Sequence, residues 1–330
     1  MTNSSKFKVG LIGAGHIGRF HTRHLSQHED WDCVGIFDTD SDRSELIAEE
    51  FGVPVAQDHR ALMDASDALF ITCPTKFHYT YAQEAIALGK HVFIEKPITL
   101  ALDEAEKLVV QAEKADVKIQ VGHVERFNPA LAALNGIDLD PRFIEAHRLV
   151  SFVPRGIDNP VVHENMIHDI DIMLWTIKSK VSKIDANGVS IITETPDIAN
   201  ARITFENGAV ANLTASRISA NPMRKMRLFQ QGAYISIDFG RQDVEVFRII
   251  DEVSDKPDML PATMLGTIEA GLKDKKIVYE KPVIPQLNAI AEEQKAFVKS
   301  IMDNQPVLVG AEEASEALRI AEVISARIVG

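Results

Sequence analysis

The glycine pattern Gly13-Ala14-Gly15-His16-Ile17-Gly18 constrains this chain more than any other feature. A glycine-rich turn alone also serves simply to reverse a chain, so its context decides its value. Here the apolar run 8–12 leads into it and an amphipathic stretch follows. That is the strand, turn and helix of a dinucleotide-binding βαβ unit. Gly13 permits the tight turn, Gly15 admits a pyrophosphate, and Gly18 lets helix and strand pack closely.

The pattern continues to about residue 122. Short apolar runs at 8–12, 33–37, 68–72, 91–94 and 118–121 alternate with helical stretches near 16–27, 41–51, 77–89 and 103–115. Strands buried on both faces and separated by helices predict an α/β Rossmann domain with a doubly wound parallel sheet, assigned to residues 1–124.

Beyond Arg126-Phe127-Asn128-Pro129 the texture changes. Strands are expected at 143–151, 181–193, 199–205, 209–213, 225–238, 243–250 and 276–283. Glu206-Asn207-Gly208 reads as a hairpin turn with positive φ at Asn207 and Gly208. Helices are expected at 163–178, 288–303 and 311–327. Residues 125–330 are therefore assigned to a C-terminal α+β domain with a large, mostly antiparallel sheet.

Composition narrows the function. A net charge of −13 over 330 residues argues against a general nucleic-acid binder, which needs clustered Lys and Arg to displace counterions. No run approaches the roughly 18 apolar residues of a membrane span, and the N-terminus has no apolar signal core. The two cysteines, Cys33 and Cys73, sit in apolar runs and form no disulfide or zinc pattern. A cytoplasmic protein without membrane or nucleic-acid partners and without a metal is the expectation.

Asp38 ends the second apolar run, about 20 residues beyond Gly18, where a carboxylate accepts hydrogen bonds from ribose hydroxyls and repels a 2′-phosphate. NAD is the expected cofactor and NADP is less favoured, although Arg43 lies near enough in sequence to serve a phosphate. His16 and Ile17 belong to the same site at the helix entry. Thr72, Pro74 and His78, in the loop after the third strand, are placed over the diphosphate and nicotinamide ribose. Read without any comparison, that loop is equally a Pro-containing strand-to-helix turn.

Glu95-Lys96-Pro97 ends a further buried strand and brings Glu95 and Lys96 to the same sheet edge. Lys96 can hydrogen-bond a substrate hydroxyl and exchange protons there; a surface lysine paired with Glu95 is the alternative. On the 163–178 helix, spacings of four and three stack Glu164, His168 and Asp171 on one face. His163 and His168 are five apart, turned about 140° from one another, so the zinc-protease pattern fails. A metal face of Glu164, His168 and Asp171 lacks a completing ligand. His168 as a general base oriented by a carboxylate is one assignment; a core histidine beside Ile167, Ile170, Met173 and Leu174 is the other.

Taken together, these segments resemble the Gfo/Idh/MocA family of glucose–fructose oxidoreductase and inositol dehydrogenase relatives. The resemblance spans the chain through Gly13–Gly18, Thr72–His78, Glu95-Lys96-Pro97, Arg126–Pro129, His168–Asp171 and the helix beginning at Ala311. It implies a substrate-binding second domain whose open-faced sheet commonly forms oligomer interfaces, and hydride transfer at a sugar or polyol carbinol carbon, with a catalytic lysine matching Lys96 and an Asp-x-x-x-His pair on the second-domain helix. His168 matches that pair, whereas Glu164 stands where many relatives carry aspartate. The loop after the third strand departs from the common Thr-Pro-Asn-x-x-His form at Cys73 and by one extra residue.

Within the family, Val121–Pro129, His168–Asp171 and Ala215–Ser219 look most like the nucleotide-sugar branch, which includes UDP-N-acetylglucosamine 3-dehydrogenases. A diphosphate substrate needs cations, for which Arg126, Arg155, Arg217, Arg224, Lys225 and Arg227 are candidates, with Asn128 beside them. The expected protein is thus a homodimeric or homotetrameric NAD-dependent dehydrogenase of a sugar-ring hydroxyl. His168 would act as base, Lys96 would polarise the oxygen, and Glu164 or Asp171 would orient the imidazole. A simple sugar or inositol dehydrogenase and a non-catalytic NAD-binding sensor are the alternatives.

Overall fold

The computed structural model describes residues 6–153, 160–250, 262–270 and 273–329. They divide into two compact units, Met1–Val124 with Asn288–Arg319 and Glu125–Leu287 with Ile320–Gly330.

In the first unit, β1 (Phe7–Ile12), β2 (Trp31–Phe37), β3 (Ala68–Ile71), β4 (His91–Glu95) and β5 (Ile119–Gly122) form a parallel sheet in the order β2-β1-β3-β4-β5. The order reverses between β1 and β3, and in open α/β sheets ligands bind outside the carboxyl ends of strands at such a switch point. The connecting helices are α1 (His16–Leu25), α2 (Ser41–Phe51), α3 (His59–Ala65), α4 (His78–Ala87) and α5 (Leu102–Ala115). The short α3 was not anticipated from periodicity; Asp58 caps it by accepting from Ala61 N at 2.7 Å.

The sequence boundary placed α8 (Ala289–Met302) and α9 (Ala311–Val329) wholly in the second domain. Instead, α8 and the first part of α9 belong to the first unit. The cause is apolar packing: Phe297 is fully buried with its ring 5.7 Å from Phe70 and 6.0 Å from Phe93. Truncating a phenylalanine so placed costs about 3–5 kcal/mol.

In the second unit the short α6 (Pro129–Ala132) precedes the sheet strands β6 (Phe143–Leu149), β7 (Val181–Val189), β8 (Ile198–Phe205), β9 (Val210–Ser216), β10 (Met223–Gln230), β11 (Ala233–Asp238), β12 (Asp243–Ile250), β13 (Ala262–Ala270) and β14 (Lys273–Glu280). Among the described residues they form one sheet, ordered β13-β14-β12-β11-β10-β6-β9-β8-β7. All pairs are antiparallel except β6 with β9. Two expectations change. Residues 225–238 form two strands, because the turn before Ala233 places Gly232 at φ 73°. In the β8–β9 turn only Gly208 has positive φ, at 83°. Phe205 O accepts from Gly208 N at 3.0 Å, giving a three-residue loop that spares Asn207 the left-handed conformation.

Strand alternation sets the two faces. Ile144, Ala146, Met226, Leu228, Ile235 and Ile237 are buried on one, where α7 (Ile167–Thr176) also buries Ile167, Ile170 and Met173. The opposite face carries an aromatic row across five strands, Phe143, Phe229, Tyr234, Phe247 and Tyr279, with successive ring centroids 5.7, 4.9, 5.5 and 5.0 Å apart. Phe229 is 39% exposed. No helix among the described residues is long and apolar enough to cross a membrane.

Candidate active site

In the first unit the carboxyl ends of β1, β2, β3 and β4 assemble the expected cofactor residues. Gly13 has φ 108°, and a Cβ there would lie 2.3 Å from Cys73 N. A Cβ on Gly18 would strike Gly13 O at 1.9 Å, so both positions require glycine for reasons internal to the chain. Gly15 differs: a Cβ built there meets nothing within 4 Å. Gly15 also precedes α1 without any side-chain cap, and no acidic residue occupies the first helical turn. The helix therefore presents uncapped N–H groups and the positive end of its dipole beside open space, with His16 and Ile17 exposed. These features fit a dinucleotide diphosphate.

Asp38 follows β2, half-buried. Its Oδ2 accepts from Ala14 N at 2.7 Å and its Oδ1 from Asp40 N at 2.9 Å. The carboxylate is thus fixed against the glycine turn, with acceptor capacity remaining for ribose hydroxyls. Arg43 is turned to Asp40 at 3.0 Å and is exposed.

Thr72 and His78 are engaged inside the protein. Thr72 Oγ1 donates to Gly13 O at 2.7 Å, joining the ends of β1 and β3. His78 is 1% exposed, its Nδ1 2.9 Å from Pro97 O and its Nε2 2.9 Å from Cys73 O, so it braces the two turns that flank it. Burial holds its pKa below the usual histidine value, against the pull of both carbonyls. Both side chains are thus held by internal hydrogen bonds at the edge where the cofactor is expected, and Pro74 is exposed there. Burial also pushes the Cys33 thiol up to about 11 and the Cys73 thiol up to about 12, so neither ionises near neutrality.

Lys96 follows β4, half-buried, and its peptide bond to Pro97 is cis. Glu95 turns inward. Its Oε2 accepts from Lys96 N at 3.1 Å, and its Oε1 lies 2.8 Å from His21 Nε2. Burial works against the Glu95 charge, yet the His21 hydrogen bond and nearby Lys96 hold its carboxyl below the usual range. Sequence analysis missed His21 and Glu293, both fully buried, which join Glu95 in one cluster. The signal available was the position of His21 on the buried face of α1 with Gly18, Thr22 and Leu25.

In the second unit, residues Val162–Met166 form a π-helical turn that runs into α7. The π-helical turn carries Glu164 one turn before His168, which lies at the start of α7. Both are half-buried. Asp171 receives Arg126 Nε at 2.6 Å and Nη2 at 2.9 Å, with side chains only 1% and 7% exposed. The guanidinium also lies 5.0 Å over the Trp175 ring. This pairing engages Asp171, expected in the catalytic set, and Arg126, expected as a diphosphate ligand, with one another.

The other expected substrate residues are similarly engaged. Asn128 caps α6 through Ala130 N at 3.0 Å and donates to Glu125 Oε2 at 2.9 Å. Arg217 is 7% exposed, with Nε 2.9 Å from Asp197 and Nη2 bonded to Thr193 and Thr195. Arg224, Lys225 and Arg227 pair with Glu125, Asp238 and Glu145. Arg155 lies outside the described residues. An unanticipated ion network fills the inner sheet face: Arg148 joins Asp169 through two hydrogen bonds of 3.0 and 2.9 Å and Glu125 through one of 2.9 Å. Alternation with Ile144 and Ala146 already put Arg148 on the buried face, where a cation requires partners.

A cavity of about 640 Å³, lined in part by Phe7, Asp67 and His91, lies at the amino ends of β1, β3 and β4. It is on the wrong edge for a doubly wound sheet to hold its cofactor.

The sheet switch point, the glycine turn and the Asp38 carboxylate define a dinucleotide-binding protein of the Rossmann class. Residues 7–123 match the oxidoreductase family with an NAD-binding Rossmann fold, and residues 152–236 match the GFO/IDH/MocA C-terminal domain. The chain belongs to the Gfo/Idh/MocA oxidoreductase family. It is 33% identical to the UDP-N-acetylglucosamine 3-dehydrogenase of Acidithiobacillus ferrooxidans over 91% of this chain and 90% of that one. It is 25% identical to the myo-inositol 2-dehydrogenase of Thermotoga maritima over 94% and 93%. A solved structure of the Acidithiobacillus enzyme superposes with a TM-score of 0.86, covering 98% of both chains at 30% identity. The fold also matches scyllo-inositol dehydrogenase from Lactobacillus casei with bound NAD(H) and scyllo-inositol, at a TM-score of 0.75 and 21% identity.

Proposed function

We propose that this chain is an NAD-dependent dehydrogenase that oxidises a ring hydroxyl of a nucleotide sugar, with the 3-position of a UDP-N-acetyl sugar as the first candidate. The observation that carries this assignment is the nearly full-length similarity to a UDP-N-acetylglucosamine 3-dehydrogenase. Preference for NAD rests on Asp38, whose fixed carboxylate would repel a 2′-phosphate while Arg43 is engaged by Asp40.

When bound, NAD supplies the hydride acceptor. Gly15 and the start of α1 receive its diphosphate, and Asp38 accepts from its adenosine ribose. Lys96 donates a hydrogen bond to the substrate hydroxyl, and His168 takes the hydroxyl proton as the carbinol carbon loses its hydride. Glu164, one helical turn before His168, is the carboxylate assigned to orient the imidazole, with Asp171 paired to Arg126. The exposed aromatic row suits a homo-oligomer, because a contiguous apolar patch on a sheet face favours burial against another chain. A cytoplasmic location accords with the two unpaired cysteines.

The decisive experiment offers the purified protein NAD with UDP-N-acetyl sugars, free sugars and inositols while nicotinamide absorbance is followed. Reduction of NAD with UDP-N-acetyl sugars alone supports the assignment. Turnover of inositols or free sugars in preference would replace it with a simple polyol dehydrogenase, and NAD binding without turnover across the panel would favour a sensor.

A further inference from the structure

Beneath Lys96 lies a cluster that the proposed chemistry does not use. Its members come from distant parts of the chain: His21 on α1, Glu95 at the end of β4, and Glu293 with Gln294 on α8. His21, Glu293 and Gln294 are fully buried, and the ligand atoms of His21, Glu95 and Glu293 all lie within 4.8 Å of one another.

The hydrogen bonds fix where the protons sit. Gln294 Nε2 lies 3.2 Å from His21 O and 2.8 Å from His21 Nδ1. A backbone carbonyl only accepts, so the amide must present its NH2 group here. Nδ1 is then the acceptor and carries no proton. The remaining nitrogen, Nε2, donates to Glu95 Oε1 at 2.8 Å, which makes the ring neutral and Glu95 the ionised partner. Nothing is left to balance Glu293. Neither of its oxygens has a hydrogen-bond partner, and Nε2, already donating to Glu95, is 3.8 Å away. A second carboxylate charge, buried beside the first, would be neither solvated nor paired.

We propose that Glu293 is held as a neutral carboxylic acid, so that the cluster carries one negative charge, on Glu95, and that Glu293 thereby acts as a positioning residue for Lys96. Glu95 ties the Lys96 N–H through its second oxygen, so the charge state of the cluster bears directly on the backbone that presents the lysine. The titratable groups that face Glu293 are Glu95 and His21; Lys96 lies beyond Glu95, and buried His78 also feels the Glu95 charge. Burial first, and the Glu95 charge second, raise the Glu293 carboxyl well above its ordinary value, in agreement with the geometry.

Two readouts independent of activity test the protonation. Infrared spectra of the folded protein at neutral pH should contain the carbonyl stretch of a protonated carboxylic acid, and Glu293→Gln should remove it. A carboxyl with a raised folded-state pKa costs stability as pH climbs above its unfolded value, so Glu293→Gln should melt increasingly above wild type over that range. The positioning role rests on the dehydrogenase assignment and has its own test. Glu293→Ala should lower kcat on the order of tenfold or more with NAD affinity retained, and Glu293→Gln should restore it. Absence of the acid band, or one divalent metal ion per chain in the purified protein, would overturn the protonation. An acid band with unchanged kcat in Glu293→Ala would overturn the positioning role alone.

Discussion

Asp171 holds Arg126 in a two-pronged ion pair, Nε to one carboxylate oxygen at 2.6 Å and Nη2 to the other at 2.9 Å, almost entirely out of solvent. A carboxylate two turns into a helix that also carries a histidine invites a catalytic assignment, yet this one is spent on a cation from a neighbouring segment. Asp171→Asn should cost about 3–5 kcal/mol, the loss expected when one partner of a buried pair is removed. Chemical denaturation measures it. Lost turnover in a variant of normal stability would return Asp171 to the catalytic set.

Lys96→Ala and His168→Ala should each leave NAD affinity near the wild-type value while reducing kcat by about 10²–10⁴-fold, the contribution of a positioned acid or base. Equilibrium titration of NAD beside steady-state kinetics separates the two quantities. Near-normal turnover in both variants would sink the assignment.

Asp38→Ala removes the charge opposing a 2′-phosphate. The ratio of kcat/KM for NAD to that for NADP should fall on the order of tenfold, in keeping with the Coulomb energy of one charge near a protein surface. Because Asp38 also anchors Ala14 N, NAD itself should bind more weakly. An unchanged ratio would assign cofactor choice elsewhere.

Asp197 governs an acid-sensitive part of the second unit. Burial alone would raise its carboxyl, but the N–H groups of Ile192, Thr193 and Ile191, together with Arg217, hold it far below the usual range. With a depressed folded-state pKa, its stabilisation is present above the unfolded value near 3.9 and is lost as pH falls toward the folded one. Asp197→Asn should therefore lower stability at neutral pH and flatten its decline in acid, as thermal melts across that range would reveal. An acid slope equal to that of wild type would dismiss this role.

Phe229 stands within the aromatic row of the outer sheet face. Phe229→Glu should lower the molar mass measured by light scattering by breaking a self-association interface, with the fold intact by circular dichroism. A wild-type protein that is already monomeric would remove the basis for this expectation.

The Rossmann unit was legible because its signals are local: short continuous apolar runs, glycines and an aspartate at fixed spacing, all within one stretch of chain. The fate of the polar residues was not, because pairing is set by tertiary proximity. Arg126, Asn128 and Arg217 look in sequence like spare donors for a phosphate. Arg126 and Arg217 each meet a carboxylate that no spacing rule connects to them, Asp171 and Asp197, while Asn128 meets Glu125 three residues before it. The π-helical turn over Val162–Met166 was likewise invisible in the apolar pattern. The boundary at 124 captured the sheet but could not show that Phe297 completes its core.

That last contact has a consequence for how the chain comes into being. Nascent domains generally fold in the order they leave the ribosome. Here the strands bearing Phe70 and Phe93 emerge long before Phe297, with residues 125–287 of the second unit translated in between. The nucleotide-binding half is started first and finished late, leaving an apolar surface open during elongation that a chaperone would be suited to shield.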